Sequence, residues 1–175
     1  ADLTTTNNDG KMYIQPHVYL KPNSNWKSDG ARFAAYFFKK GDDAFGKTWM
    51  GMSDTDGDGI YSCEIPTDKP YPNVIFCRMN GATTENNWDN KWNQTGDLTV
   101  PNNNNNLYTV KEGTWDTGSW GTDTELHKNG WQTYAEPSYK ITYSNPANAN
   151  GTITVTKAGN NVASGTSLDM GDEIK

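Results

Sequence analysis

Arg32-Phe33-Ala34-Ala35-Tyr36-Phe37-Phe38 is the run that decides how this chain folds. Asp29-Gly30 bounds it on one side and Gly41-Asp42-Asp43 on the other. The run is too short and too aromatic for a helix, so it reads as a buried β-strand. Working outward, Thr48–Met52, Ile60–Ile65, Val74–Met79, Asp97–Val100 and Leu107–Val110 are further strand-like runs. Upstream, Met12–Lys21 is extended but interrupted by Pro16, which predicts an edge strand or two short strands. Gly, Asn and Pro punctuate these runs. Pro22–Asn25 is a turn, Asp54–Gly59 a hairpin tip, and Asn102–Asn106 the tip of a hairpin joining 97–100 to 107–110. No stretch sustains a 3.6-residue period. The expected class is therefore all-β, a β-sandwich of immunoglobulin-like or carbohydrate-binding-module type.

The chain divides into parts along its length. Residues 1–16 read as an N-terminal arm or edge strand, and residues 17–121 as the sandwich, with Trp115 and Trp120 closing its edge. Residues 122–137 form a polar linker from which Trp131 and Tyr134 dock. Residues 138–175 open a small second β unit, with alternation at Tyr139–Tyr143 and Gly151–Thr156. So short a segment cannot bury a core of its own. This unit is incomplete, and is expected to rest on further chain, on the first domain or on a neighbouring chain. The start at Ala1, without a signal-peptide pattern, reads as a processed protein or an excised fragment.

The totals exclude several functions. A net charge of −6 over 175 residues leaves no basic stripe for nucleic acid and no attraction to an anionic membrane. No apolar run approaches the ~20 residues that span a bilayer. Aromatics at 12% set the chain apart from disordered sequences. Cys63 and Cys77 each lie in a strand-like run and lack metal-ligand spacing; they form either one disulfide or two buried thiols.

The candidate site is Asn86-Asn87-Trp88-Asp89-Asn90-Lys91-Trp92-Asn93-Gln94-Thr95. Two indoles stand four residues apart among carboxamides that both donate and accept hydrogen bonds. An aromatic ring packs on the C–H face of a pyranose while Asn, Gln, Asp and Lys reach its hydroxyls. The alternative for each ring is a plug over the edge of a small core.

Residues 17–115 resemble a family 26 carbohydrate-binding module, the starch-binding kind appended to bacterial α-amylases. The likeness rests on Val18-Tyr19-Leu20-Lys21, on Trp26 after the first turn, on Arg32–Phe38, and on Val74-Ile75-Phe76 followed by Gln94-Thr95-Gly96-Asp97-Leu98. The loop before Gln94 is longer here and carries Trp88 and Trp92, and the first strand has a single tyrosine. The C-terminal segment loosely resembles the start of a β-repeat module of bacterial surface proteins. The resemblance implies a curved aromatic cradle for helical α-1,4-glucans such as starch and maltooligosaccharides. Tyr19, Lys21, Trp26 and Gln94 would make one patch, and Trp88, Asn90 and Trp92 a second. It further implies an extracellular or bacterial cell-surface module, working beside a glycoside hydrolase or in a surface glycan-binding protein. The alternative is an adhesin or fibre-assembly module that pairs strands with a neighbouring chain or subunit.

Asp54-x-Asp56-x-Asp58-Gly59 resembles the opening of a calcium loop, but position twelve is Ile65, so an EF-hand is not expected. A metal-free turn is the first reading, with a structural calcium ion held by Asp54, Asp56 and Asp58 the second. Catalysis finds little support. His17 and His127 are the two histidines, and Glu85 and Asp89 are the main carboxylates near the aromatics, with nothing to separate their pKa values. The expectation is a non-catalytic protein without a cofactor.

Overall fold

The computed structural model describes residues 12–13, 16–102, 105–118, 130–134, 139–140, 154–157, 160–164, 166–168 and 173–174. The strands, in chain order, are β1 Met12–Tyr13, β2 His17–Lys21, β3 Arg32–Phe38, β4 Thr48–Met52, β5 Tyr61–Glu64, β6 Asn73–Met79, β7 Lys91–Gln94, β8 Leu98–Thr99, β9 Leu107–Thr109, β10 Trp131–Gln132, β11 Tyr139–Lys140, β12 Thr156–Lys157, β13 Asn160–Asn161, β14 Ser167–Leu168 and β15 Glu173–Ile174. A one-turn helix, α1 Ser24–Lys27, is the sole α-helix among the described residues. None is long and apolar enough to cross a membrane. The fold is all-β.

The chain forms two compact units, residues 17–135 and residues 1–16 with 136–175. The larger unit contains two sheets, β10-β9-β2-β5 and β4-β3-β6-β7, with β8 also paired to β6. Alternation decides which side chains meet. Val18 and Leu20 of β2, Phe33, Ala35 and Phe37 of β3, Val74 and Phe76 of β6, and Tyr108 of β9 share one core. The other face of β3 and β6 carries a second cluster of Ala34, Tyr36, Ile75, Cys77 and Met79, packed with Phe38 and Trp49. The Arg32–Phe38 run is thus covered on both faces, which is why apolar residues fill it without alternation.

Two expected hairpins are instead crossings between sheets. β4 and β5 flank the Asp54–Gly59 turn, yet they lie in different sheets and are joined only by the isolated bridge Ser53–Ser62. β8 pairs with β6, whereas β9 runs parallel to β2 in the other sheet, so the asparagine run is also a crossing. Pro16 separates two short strands, and β2 lies between β9 and β5. In the segment read as a linker, Trp131–Gln132 pairs with β9, and the Trp131 ring stands 5.8 Å from Phe76 and 5.6 Å from Tyr108. Residues 1–11 and 121–129, Trp120 and His127 lie outside the described residues.

The smaller unit has the sheet β1-β15-β12-β13 and the pair β11-β14. The strand nearest the C-terminus, β15, has β1 on one side and β12 on the other. The N-terminal stretch read as an arm is therefore a strand of the unit read as incomplete.

A candidate glycan-binding face on the outer side of a sheet

The loop between β6 and β7 builds the site. In the order β4-β3-β6-β7 it must cross β3 to reach β4, and its length allows this. Trp88 lands edge-on against Tyr36 of β3 (4.7 Å between centroids, 67° between planes) and against Trp49 of β4 (4.8 Å, 67°). Small residues leave room for the crossing. Ala34 pairs with Gly51, and the Asn86 amide lies 3.6 Å from where a Cβ on Gly51 would stand.

Arg32 holds this loop down. Its Nε donates to the carbonyls of Thr83 (2.6 Å) and Asn80 (3.2 Å). Nη2 donates to the Glu85 carbonyl (2.5 Å) and to Thr83 Oγ1 (3.2 Å), and Nη1 to Asn86 Oδ1. Gly81 is where the loop meets the turn before β3. A Cβ there would lie 1.8 Å from the Gly30 carbonyl oxygen, so only glycine fits. Asn90 closes the far end: its amide donates to the Glu85 carbonyl (3.1 Å), and its backbone N–H to Asn87 Oδ1 (2.9 Å).

A β-bulge lets the short strand β7 serve both faces. Gln94 pairs with Cys77, Asn93 with Arg78 and Lys91 with Met79, which leaves Trp92 as the extra residue. Lys91 and Gln94 therefore share the outer face with Cys77 and Met79. Lys91 Nζ donates to Gln94 Oε1 (2.5 Å) and stands 5.4 Å from the Trp88 ring. At the other side, Lys47 pairs with Asp43 (2.9 Å). Its pKa is raised by that hydrogen bond first and then by the Tyr36 phenol, so it stays charged.

The outer face thus presents Trp88, 43% exposed, beside the partly exposed Trp49 and Phe38, with Lys91, Gln94, Asn86 and Lys47 near the rings. Two indoles at 67° make an angled wall with hydrogen-bonding groups beside it.

The expected site residues divide sharply. Trp88, Asn90 and Gln94 belong to this face or its loop. Trp26 does not. It is fully buried and its ring stacks at 6.3 Å on Phe33. Asn23 caps α1 by accepting from the Trp26 N–H (2.8 Å), and that one turn aims the indole into the core, where its Nε1 has no partner. No ligand can stack on it. Tyr19 is buried too, covered by Tyr134 at 4.4 Å. Lys21 is exposed but has no open ring beside it from that pair. Trp92 is 40% exposed and faces away from Trp88, over Arg78. Trp115, expected to close an edge, is 47% exposed.

Tyr36, Trp49 and Arg32 are the residues that the sequence reading missed, while Lys91 lay inside the expected stretch without being given a place in either patch. Strand parity could have found Tyr36, which lies opposite in phase to the core residues Phe33, Ala35 and Phe37.

Two other groups of side chains were candidates for chemistry. Asp54, Asp56 and Asp58 bring carboxylate oxygens within 4.8 Å of one another. Those carboxylates also fold the turn: Asp54 accepts from the N–H groups of Gly57 (2.8 Å) and Gly59 (3.0 Å), and Asp58 from that of Ile60 (2.7 Å). Cys63 and Cys77 are free buried thiols in different clusters, one inside the main core and one on the outer face of β6. This removes the disulfide alternative. Burial pushes both thiols up to about 12. No protein-family model, curated protein sequence or solved structure matches this chain.

Proposed function

We propose that this protein binds α-1,4-glucans, without catalysis, on the outer face formed by Trp88 and Trp49, with the buried Tyr36 ring packed beneath them. One observation carries the reading: the Trp88–Trp49 pair is held at 67° over the outer face of the sheet, with Trp88 43% exposed and Trp49 partly exposed. Two rings at an angle suit two successive sugars of a coiled polymer better than a flat row would. Lys91, Gln94 and Asn86 supply donors and acceptors at the rings' edges. A solvent-facing, angled pair is costly to leave bare, and sugar stacking recovers that cost.

The site is shallow, and hydroxyls exchange water for protein partners with little net gain. Affinity at one site is therefore weak, and tandem copies or a neighbouring hydrolase would supply avidity. This fits an extracellular or cell-surface module better than a self-sufficient enzyme. Strand donation to a neighbouring chain has less support, because β15 already has partners on both edges.

Covering roughly 70 Å² of indole at ~25 cal/mol/Å² is worth about 1.8 kcal/mol, or about a twentyfold change in affinity. Affinity electrophoresis through amylopectin gels tests this. Trp88→Ala and Trp49→Ala should each lose most of the wild-type retardation. A Trp88→Ala variant retarded as strongly as wild type would refute the reading.

A further inference from the structure

Arg78 is a charge buried where few chains tolerate one. It sits on β6 at the end of the core and is 4% exposed. Each of its three nitrogens donates. Nε donates to the Trp26 carbonyl (2.9 Å), Nη1 to Asn93 Oδ1 (3.4 Å), and Nη2 to the Ser28 carbonyl (2.7 Å), Ser28 Oγ (3.0 Å) and Asp29 Oδ2 (2.7 Å). Two indoles then cover it. Trp92 lies 4.5 Å from the guanidinium carbon and Trp115 5.3 Å. With Trp88, these two are the exposed large hydrophobic residues among those described, at 40% and 47%.

Both rings are fixed from beneath. The bulge in β7 and the guanidinium hold Trp92. Trp115 rides on a loop tied to α1 by the Asn23 amide, which donates to the carbonyls of Lys111 (2.7 Å) and Thr114 (2.8 Å). The same loop is tied to β7 by the Thr117 N–H, which donates to the Gln94 carbonyl (2.9 Å). The Tyr108 hydroxyl donates to Asp116 (2.8 Å), and burial, then that carboxylate, pushes the phenol's pKa up so that it remains a donor.

The charges select the ligand. Arg78 is buried and its charge is paired with Asp29, so no anion is recruited. The guanidinium already occupies one face of each ring, so a second cation on the outer faces is disfavoured. A neutral ligand with an apolar face and polar edges remains, which describes a sugar ring. Asn93, Asn25 and Thr117 provide polar groups nearby. We infer that Trp92 and Trp115 form a second glucan-binding face, set apart from the first by the β7 strand, so that one molecule holds two glucan segments. The choice of α-glucan rests on the function proposed for the Trp88 face.

Fluorine NMR of the full chain carrying 5-fluorotryptophan, titrated with maltoheptaose, tests both faces separately. Trp49→Ala, Trp88→Ala, Trp92→Ala and Trp115→Ala assign the signals, and the dispersion of the remaining ones reports whether each variant folds. The Trp92 and Trp115 signals should shift with ligand, and should still shift in Trp88→Ala. If only the Trp88 and Trp49 signals move, the second face is overturned and the first stands. If only Trp92 and Trp115 move, the first falls and the second stands. If no signal moves, both fall. A concentration-dependent dimer in sedimentation that Trp115→Ala abolishes, with no shift of the Trp92 and Trp115 signals by ligand, would reassign this face to self-association and overturn the inference.

Discussion

Replacing Arg32 probes the loop that carries the first site. Its guanidinium makes five hydrogen bonds, to Asn80, Thr83, Glu85 and Asn86. Arg32→Lys keeps the charge but offers one compact ammonium, which cannot span acceptors spread along the loop. At best two of the five bonds survive. Hydrogen bonds to a charged group are worth ~1.5–3 kcal/mol each when buried, and less where water can substitute. This arginine is half-buried, so losing three such bonds should cost about 3 kcal/mol. For a domain of this size that lowers the thermal midpoint by about 10 °C. Because the loop places Trp88 against Tyr36 and Trp49, retardation in amylopectin gels should fall with it, even below the transition. Urea denaturation followed by tryptophan fluorescence measures the first effect and gel electrophoresis the second. An Arg32→Lys protein within ~0.5 kcal/mol of wild type would show that the loop is held by other means. A loss of stability with unchanged retardation would separate loop anchoring from Trp88 placement.

Gly81→Ala places a methyl carbon against the Gly30 carbonyl and should cost ~1–3 kcal/mol through forced displacement, again read by urea midpoint. Trp26→Ala removes a fully buried indole and should cost ~3–5 kcal/mol, so its loss of glucan retardation would report unfolding, which circular dichroism detects. The Asp29 carboxyl is held below its ordinary value of 3.8, first by the Ser28 hydroxyl and then by Arg78. Its contribution is therefore whole above that pH and disappears as the pH falls through the lower folded value, leaving Arg78 without its carboxylate. Denaturation midpoints across acid pH should show Asp29→Asn losing this part of the acid dependence. Native Cys63 and Cys77 should resist Ellman's reagent near neutral pH and both react once unfolded, because burial pushes their thiols up to about 12.

Local signals in the sequence carried the strands but not their assembly. Arg32–Phe38 and Thr48–Met52 are strands over those residues, and Val74–Met79 extends by one at Asn73. Turn chemistry at Asp54–Gly59 correctly marks where the chain bends. It does not say which sheet the next strand joins, since glycine at positive φ serves a hairpin and a crossing alike. Trp26 was misread for a related reason. Its neighbours Asn23, Ser24 and Asn25 are polar and suggest an open loop, yet the Asn23 cap winds them into a helical turn that buries the ring. The Trp88 loop was legible from composition. Its partners Tyr36 and Trp49 were not, because an aromatic in an apolar run reads as core until the loop's crossing over β3 is known.

The neighbours of β2 bear on how the molecule is made. His17–Lys21 is paired on one side with Tyr61–Glu64 and on the other with Leu107–Thr109, in parallel. The earliest strand of the larger unit therefore waits for one of the latest before its sheet can close. Contacts so distant along the chain slow folding, because loop entropy must be met before pairing rewards it. On the ribosome, β3 and β4 can pair as soon as they emerge, while β2 keeps an unsatisfied edge until residue 109 is out. That interval is when the nascent protein has most need of a chaperone, and shortening the asparagine-rich crossing before β9 should shorten it.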